Sequence, residues 1–139
     1  MKNRIVVSAV CVFDRAGRLL TVRKRGTGMF MHPGGKPEAG ETAVQAAARE
    51  LEEEVGIVLD PKDLELMGVW IADAANEAAT DIEATVFLAP GVWEAHLSAE
   101  IAEIRWLELG AEPTQDLAPL LTDHILPELG SSGRTASQA

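Results

Sequence analysis

Apolar positions change period several times along this chain. Between residues 4 and 13, Ile5, Val6, Val7, Val10 and Val12 alternate or run together, which predicts a β-strand. The turn DRAGR, residues 14–18, contains Gly17, and RLLTVRKR, residues 18–25, predicts a second strand returning beside the first as a hairpin. Residues 26–41, GTGMFMHPGGKPEAGE, hold five glycines and two prolines. They predict a long loop, or a strand fragment between loops, of the kind that often carries function in a compact domain. A helix comes next, with Thr42 as N-cap and Gly56 as its stop. DPKDL, residues 60–64, is a turn. Residues 64–72, 82–89 and 101–108 predict three more strands, and 114–129 a second helix ending near Pro127. The polar segment 130–139 is expected to be a mobile tail. Strands dominate and hairpins outnumber crossovers, so the expected class is α+β: helices packed on a mixed sheet, in a single domain over 1–129.

The first helix has two faces. At about 100° per residue, Val44, Ala47, Ala48, Leu51 and Val55 form one apolar stripe. Glu50, Glu53 and Glu54 share another arc, because they are related by steps of three and four residues, while Glu52 points elsewhere. Like charges at that spacing oppose a helix by a few tenths of a kcal/mol per pair, on the order of helix-surface ion pairs. Two readings are open: a solvated acidic face, or a site for a hard cation. Mg²⁺ and Mn²⁺ prefer oxygen ligands and keep waters and phosphates in their shells.

Composition narrows the choice of partner. The 139 residues carry 22 acidic and 12 basic groups, a net charge of −10. Polymeric nucleic acid is bound through clustered Lys and Arg, so it is not expected here, whereas a small phosphate compound bringing its own divalent metal is compatible. No apolar run reaches the roughly 18 residues of a membrane span, and no membrane partner is expected. The single cysteine, Cys11, lies in an apolar strand, fits a packing role and agrees with a reducing cytoplasm. His32, His96 and His124 lack metal-ligand spacing, though His32 adjoins the glycine-rich segment. Trp70 and Trp106 read as core, Trp93 as a lid residue, and Phe30 and Met31 as pocket lining or core.

Gly35, Glu41, Arg49-Glu50-Leu51, Glu53-Glu54 and Gly56-Ile57 occupy every defined position of the 23-residue Nudix box, residues 35–57, led in by His32-Pro33-Gly34-Gly35-Lys36. The chain therefore resembles the Nudix hydrolase (MutT-like) superfamily. That resemblance implies an α/β/α sandwich around a mixed sheet, with a loop–helix–loop that binds divalent metal and a diphosphate. It implies Glu50, Glu53 and Glu54 as metal ligands, with the Gly35 carbonyl as a further one and Mg²⁺ or Mn²⁺ as the cofactor. It gives Arg49 the part of orienting a glutamate, with Glu41 as its partner. Gly34 lets main-chain amides approach phosphate or ligands.

The implied reaction is hydrolysis of a nucleoside di- or triphosphate, or another nucleoside diphosphate linked to a further group. The general base is Glu50 or Glu53 from the box, or a glutamate outside it, where Glu103 is preferred over Glu100. Lys36, Arg23 and Arg25 are candidate phosphate contacts, the two arginines sharing one strand face. Markers of the ADP-ribose, diadenosine polyphosphate and coenzyme A subfamilies do not match; residues 71–75 read IADAA, and there is no tyrosine. Those mismatches lean toward a small nucleotide. The alternative is a Nudix-fold module that senses a nucleotide without turnover. Dimers are common in the superfamily, so a homodimer is compatible as well.

Overall fold

The computed structural model describes residues 3–132. Its strands are β1 (Asn3–Cys11), β2 (Leu19–Lys24), β3 (Phe30–Met31), β4 (Gly34–Gly35), β5 (Glu65–Asp73), β6 (Thr80–Leu88) and β7 (Ile101–Leu107). Helix α1 spans Ala43–Val55, a 3-10 turn spans Pro61–Asp63, and a π-helical segment, Leu120–Ile125, leads into α2, Leu126–Ser132. The strands form a four-stranded sheet, β4-β1-β6-β5, and a three-stranded sheet, β3-β2-β7. β1 and β6 run parallel and the other pairs are antiparallel, so the expected mixed sheet is present.

Strand alternation sends side chains to two cores. Ala9, Cys11, Phe13, Leu19, Ala84 and Val86 face the C-terminal helical segment, where Leu121, Ile125 and Leu129 complete the packing. Val10, Val12, Leu20, Val22 and Phe87 face Ala47, Ala48, Leu51 and Val55 of α1. The strands thus lie between two helical layers, an α/β/α arrangement. Cys11 is a buried core residue, as its neighbours imply. Trp93 is no lid: it packs against the α1 core and its indole N–H donates to the Pro90 carbonyl at 2.7 Å.

Two expectations need correction. β1 and β2 do not pair as a hairpin ladder. They meet only at the bridge Phe13–Leu19, flanked by the hydrogen bonds from Leu20 N–H to Val12 and from Asp14 N–H to Arg18, and then diverge into different sheets. Each strand buries side chains on both faces, so each needs its own neighbours. The second helix also starts later than residue 114. Leu117 bridges Phe30, whose N–H donates to Asp116 and whose carbonyl accepts from Ala118. Arg105 holds that segment with two bonds to Asp116, at 2.9 and 3.0 Å, and stacks on Phe30. Pro127 does not end the helix. It comes after a π turn in which Leu126 N–H reaches back to Leu121, a widening that relieves the clash of a proline ring with the preceding turn. Helix α2 therefore enters the segment expected as a tail, of which residues 133–139 lie outside the described residues.

The short strand β4 joins the glycine-rich segment to the larger sheet. It pairs with β1 through Ser8–Gly35 and Ala9–Gly34. Gly34 lies so close to β1 that a Cβ there would overlap the Ser8 carbonyl oxygen and crowd the Ala9 backbone. Backbone cannot yield as a side chain does. Gly34→Ala is accordingly expected to destabilise the protein by more than about 2 kcal/mol. Urea unfolding checks this, and an unchanged midpoint would show that the two strands are not held this close.

Candidate active site

Local chemistry fixes where α1 begins and ends. Thr42 and Gln45 form a capping box, and Gly56 closes the helix in the left-handed conformation at φ 72°. Ser8 Oγ donates to the Ala43 carbonyl at 2.7 Å, docking the first turn onto β1. The apolar stripe buries Ala47, Ala48, Leu51 and Val55. That orientation turns the Glu50 and Glu54 edge of the helix toward β4.

Glu54 is only 1% exposed. One oxygen accepts from the Gly34 N–H at 3.1 Å and the other pairs with Lys24 Nζ at 3.3 Å. Burial pushes its pKa up to about 7, against the opposing pull of Lys24 and the Gly34 amide, while Glu50 adds to the rise. Glu50 lies over Gly35 so closely that a Cβ on that glycine would run into its carboxylate. Its pKa is raised too, chiefly by burial, with Arg49 and Lys24 opposing. Glu53 turns away from this pair. It is exposed and accepts from Arg49 Nη1 at 3.0 Å. The helical wheel placed three carboxylates on one arc; the structure brings Glu50 and Glu54 to β4 and leaves Glu53 on the arginine.

Arg49 is the hub of the outer layer. It forms two bonds with Glu41, at 2.8 and 3.0 Å, reaches Glu53 and Glu50, and donates to the Lys36 carbonyl at 3.1 Å. The pairing holds Glu41 below the usual carboxylate range and Arg49 above its ordinary value. Arg49 and Glu50 line a cleft of about 490 Å³. Lys24, Lys36 and Arg49 bring cations to it, whereas Val7, Ala9, Met31, Ile82 and Leu120 make an apolar wall.

The other predicted residues fall elsewhere. Arg23 Nη2 pairs with Glu103 at 3.3 Å and its Nη1 donates to the Thr27 carbonyl, while Arg25 Nε donates to the Ala99 carbonyl. None of Arg23, Arg25 and Glu103 lines the cleft. Leu20, Val22 and Lys24 share the strand face that meets α1, and Arg23 and Arg25 take the opposite parity. Lys24 was legible as the basic residue ending that apolar row. His32 was singled out only for adjoining the box; it is 4% exposed, lines the cleft, and its Nε2 has no partner among the described residues. Burial lowers its pKa to about 4.

The donor set suits a hard divalent ion in part. Two carboxylates and the Gly35 main chain meet where only a glycine fits, and burial raises the pKa of both carboxylates against the pull of the nearby cations. Among the described residues, however, no three His, Cys, Asp or Glu side chains are arranged to hold a metal. Glu53 would be the third only by leaving Arg49.

Two variants test this geometry. Gly35→Ala meets the movable end of a side chain, so it should displace Glu50 and lower metal affinity while the urea midpoint stays near wild type. Equal loss of stability and metal affinity would argue against that account. Glu54 has a folded pKa above its unfolded value, so the folded state binds the extra proton. Its favourable contribution is complete below about pH 4.5 and is lost as pH rises through about 7. With metal chelated, Glu54→Gln should gain stability relative to wild type over that window, on the order of 3 kcal/mol by pH 8. Parallel stability–pH curves for the two proteins would refute the burial account.

A sequence model of the NUDIX domain matches residues 2–128. Over 68 residues the chain is 43% identical to the Escherichia coli (strain K12) protein named Phosphatase NudJ, an overlap of 48% of this chain and 44% of that protein. A Shigella flexneri protein of the same name matches equally. The chain thus aligns with less than half the length of these curated relatives. The MutT protein from Methanosarcina mazei Go1 shares the fold with a TM-score of 0.76 at 23% identity, over 96% of this chain and 97% of that one. The MutT NUDIX hydrolase from Burkholderia pseudomallei gives 0.73 at 25% identity, over 92% and 99%. With the domain match running through both cores and the whole glutamate-bearing helix, the chain belongs to the NUDIX family.

Proposed function

We propose that this protein is a divalent-metal-dependent hydrolase that cleaves the phosphoanhydride of a nucleoside diphosphate linked to a further group, with a small nucleotide as substrate. The observation that carries this reading is the Glu50 carboxylate held over Gly35, beside Glu54, at the charged end of the cleft. Glu50, Glu54 and the Gly35 carbonyl would hold Mg²⁺ or Mn²⁺, and Glu53 would join them on releasing Arg49. When bound, the ion supplies charge neutralisation at phosphate oxygens and a bound water of lowered pKa.

The chain's own groups do the rest. Lys24 and Lys36 offer cations to phosphate oxygens at the same end of the cleft. Arg49 keeps Glu50 and Glu53 oriented while Glu41 anchors the guanidinium from behind. Glu50, seated over Gly35 beside the place the ion would take, is the candidate to take the proton of the attacking water. Water adds to phosphorus, the bridging P–O bond breaks, and two phosphate-bearing products leave. Glu103 has no part in this scheme, because its carboxylate is held by Arg23 away from the cleft.

The deciding measurement is product release from a panel of nucleoside triphosphates and nucleoside diphosphate derivatives, with Mg²⁺ or Mn²⁺ and with chelator. Turnover should require metal, and Glu53→Gln should lower it by about a hundredfold or more with the fold intact. Metal binding without turnover on any member would favour a nucleotide sensor. A Glu53→Gln variant of near-normal rate would remove that residue from the mechanism.

A further inference from the structure

Both oxygens of Glu54 are engaged by the protein itself. Oε1 accepts from the Gly34 N–H at 3.1 Å, and Oε2 faces Lys24 Nζ at 3.3 Å. The carboxylate is 1% exposed and does not line the cleft, whereas Gly34 and Lys24, the two groups that hold it, do. Those two groups therefore stand between Glu54 and whatever the cleft takes in. They differ in freedom. The Gly34 amide is fixed, because β4 lies against β1 with no room even for a Cβ. The Lys24 ammonium ends a flexible four-carbon stem, its side chain is 36% exposed, and its hydrogen bond to the Gly34 carbonyl is long at 3.4 Å. Where Oε2 is to serve a divalent ion, the ammonium is the partner that can give way. Keeping both cations on one oxygen, in a place nearly closed to water, would set like charges side by side with little screening.

We propose that Lys24 is an exchangeable counter-ion: it yields Glu54 to the divalent ion and carries its ammonium to a phosphate oxygen in the cleft. This inference rests on the hydrolase reading for the ion and the diphosphate, and deepens it by coupling their binding through one side chain. Lys24 opposes the ion for as long as it holds Oε2, since that contact must be given up first. A phosphate in the cleft offers the displaced ammonium a new anion. Metal and substrate therefore favour each other's binding, with Lys24 as the link between them.

Two measurements on the full chain test this. The first is calorimetric titration with Ca²⁺ of wild type, Lys24→Met and Lys36→Met, at about 0.3 M KCl to screen distant charge. Lys36 lines the same cleft, but the ion pair of Glu54 is with Lys24. Lys24→Met is expected to bind Ca²⁺ about tenfold tighter than wild type, and Lys36→Met to differ from wild type by less than about twofold. Equal tightening in the two variants would reduce Lys24 to a general positive charge and overturns the proposal. So does weaker Ca²⁺ binding in Lys24→Met, which would make the lysine a support for Glu54. The second measurement needs no variant: acetylation of wild type by an activated acetyl ester, with each lysine followed by mass spectrometry. Bound Ca²⁺ should speed acetylation of Lys24 several-fold relative to Lys36, and methylenediphosphonate added with Ca²⁺ should slow it again. An unchanged Lys24 rate with Ca²⁺ bound, or continued fast acetylation with both present, overturns the exchange. Failure of the hydrolase reading looks different: Lys24 exchanges as described, but no nucleotide is hydrolysed when Mg²⁺ replaces Ca²⁺. A wild type that binds no divalent ion sinks both.

Discussion

A carboxylate that water cannot reach joins three separate parts of this chain. Glu54 belongs to α1, accepts from Gly34 in the four-stranded sheet, and pairs with Lys24 in the three-stranded sheet. Taking an ionised carboxylate out of water costs several kcal/mol unless its partners are well placed. The partners are an amide and an ammonium whose positions are set by strand pairing and not by side-chain freedom. Helix, β4 and β2 must therefore meet at one spot. The closeness of β4 to β1 at Gly34 and the seating of Glu50 on Gly35 depend on that meeting. Burial raises the pKa of both glutamates, and the lysine offsets that rise only in part.

Arg49 solves the complementary problem on the wetter side. Its planar fork takes two oxygens of Glu41, and its remaining donors reach Glu53 and the Lys36 carbonyl. A lysine has no such fork and could not serve those directions together. The stretch from β4 to α1, residues 36–42, has no regular secondary structure of its own and is pinned at Lys36 and Glu41 by this one side chain. The acidic helix is thus divided between a dry half served by Lys24 and a wet half served by Arg49.

Much of this was legible in residue spacing, and the gaps have physical causes. Period-2 runs located the long strands, and Thr42 with Gly56 located α1, because those signals are local. Pairing is not local. Nothing in residues 4–25 says that β1 and β2 will splay, since both carry apolar side chains on both faces. The start of the last helix was missed because Leu117 is claimed by Phe30, a partner 87 positions away. At the site, the wheel separated Glu52 from the other glutamates but could not show that Arg49 would claim Glu53. Lys24 ends the apolar row of Leu20 and Val22 that looks at the helix, while Arg23 and Arg25 take the other parity, a distinction that charge alone does not carry.

The pairing of β1 with β6 has a consequence for how the chain reaches this state. Register couples Asn3 to Thr80 and Cys11 to Leu88, a parallel contact that closes a loop of most of the domain. Loop-closure entropy must be met before such a contact returns anything, which slows folding relative to a meander of neighbouring strands. During synthesis β1 can dock on β4 early, but its other edge stays open until residue 88 has emerged. That edge carries unpaired backbone N–H and C=O groups and is free to add a foreign strand in the meantime. The strand that carries the cleft's inner wall is thus among the earliest made and the latest to be closed on both sides.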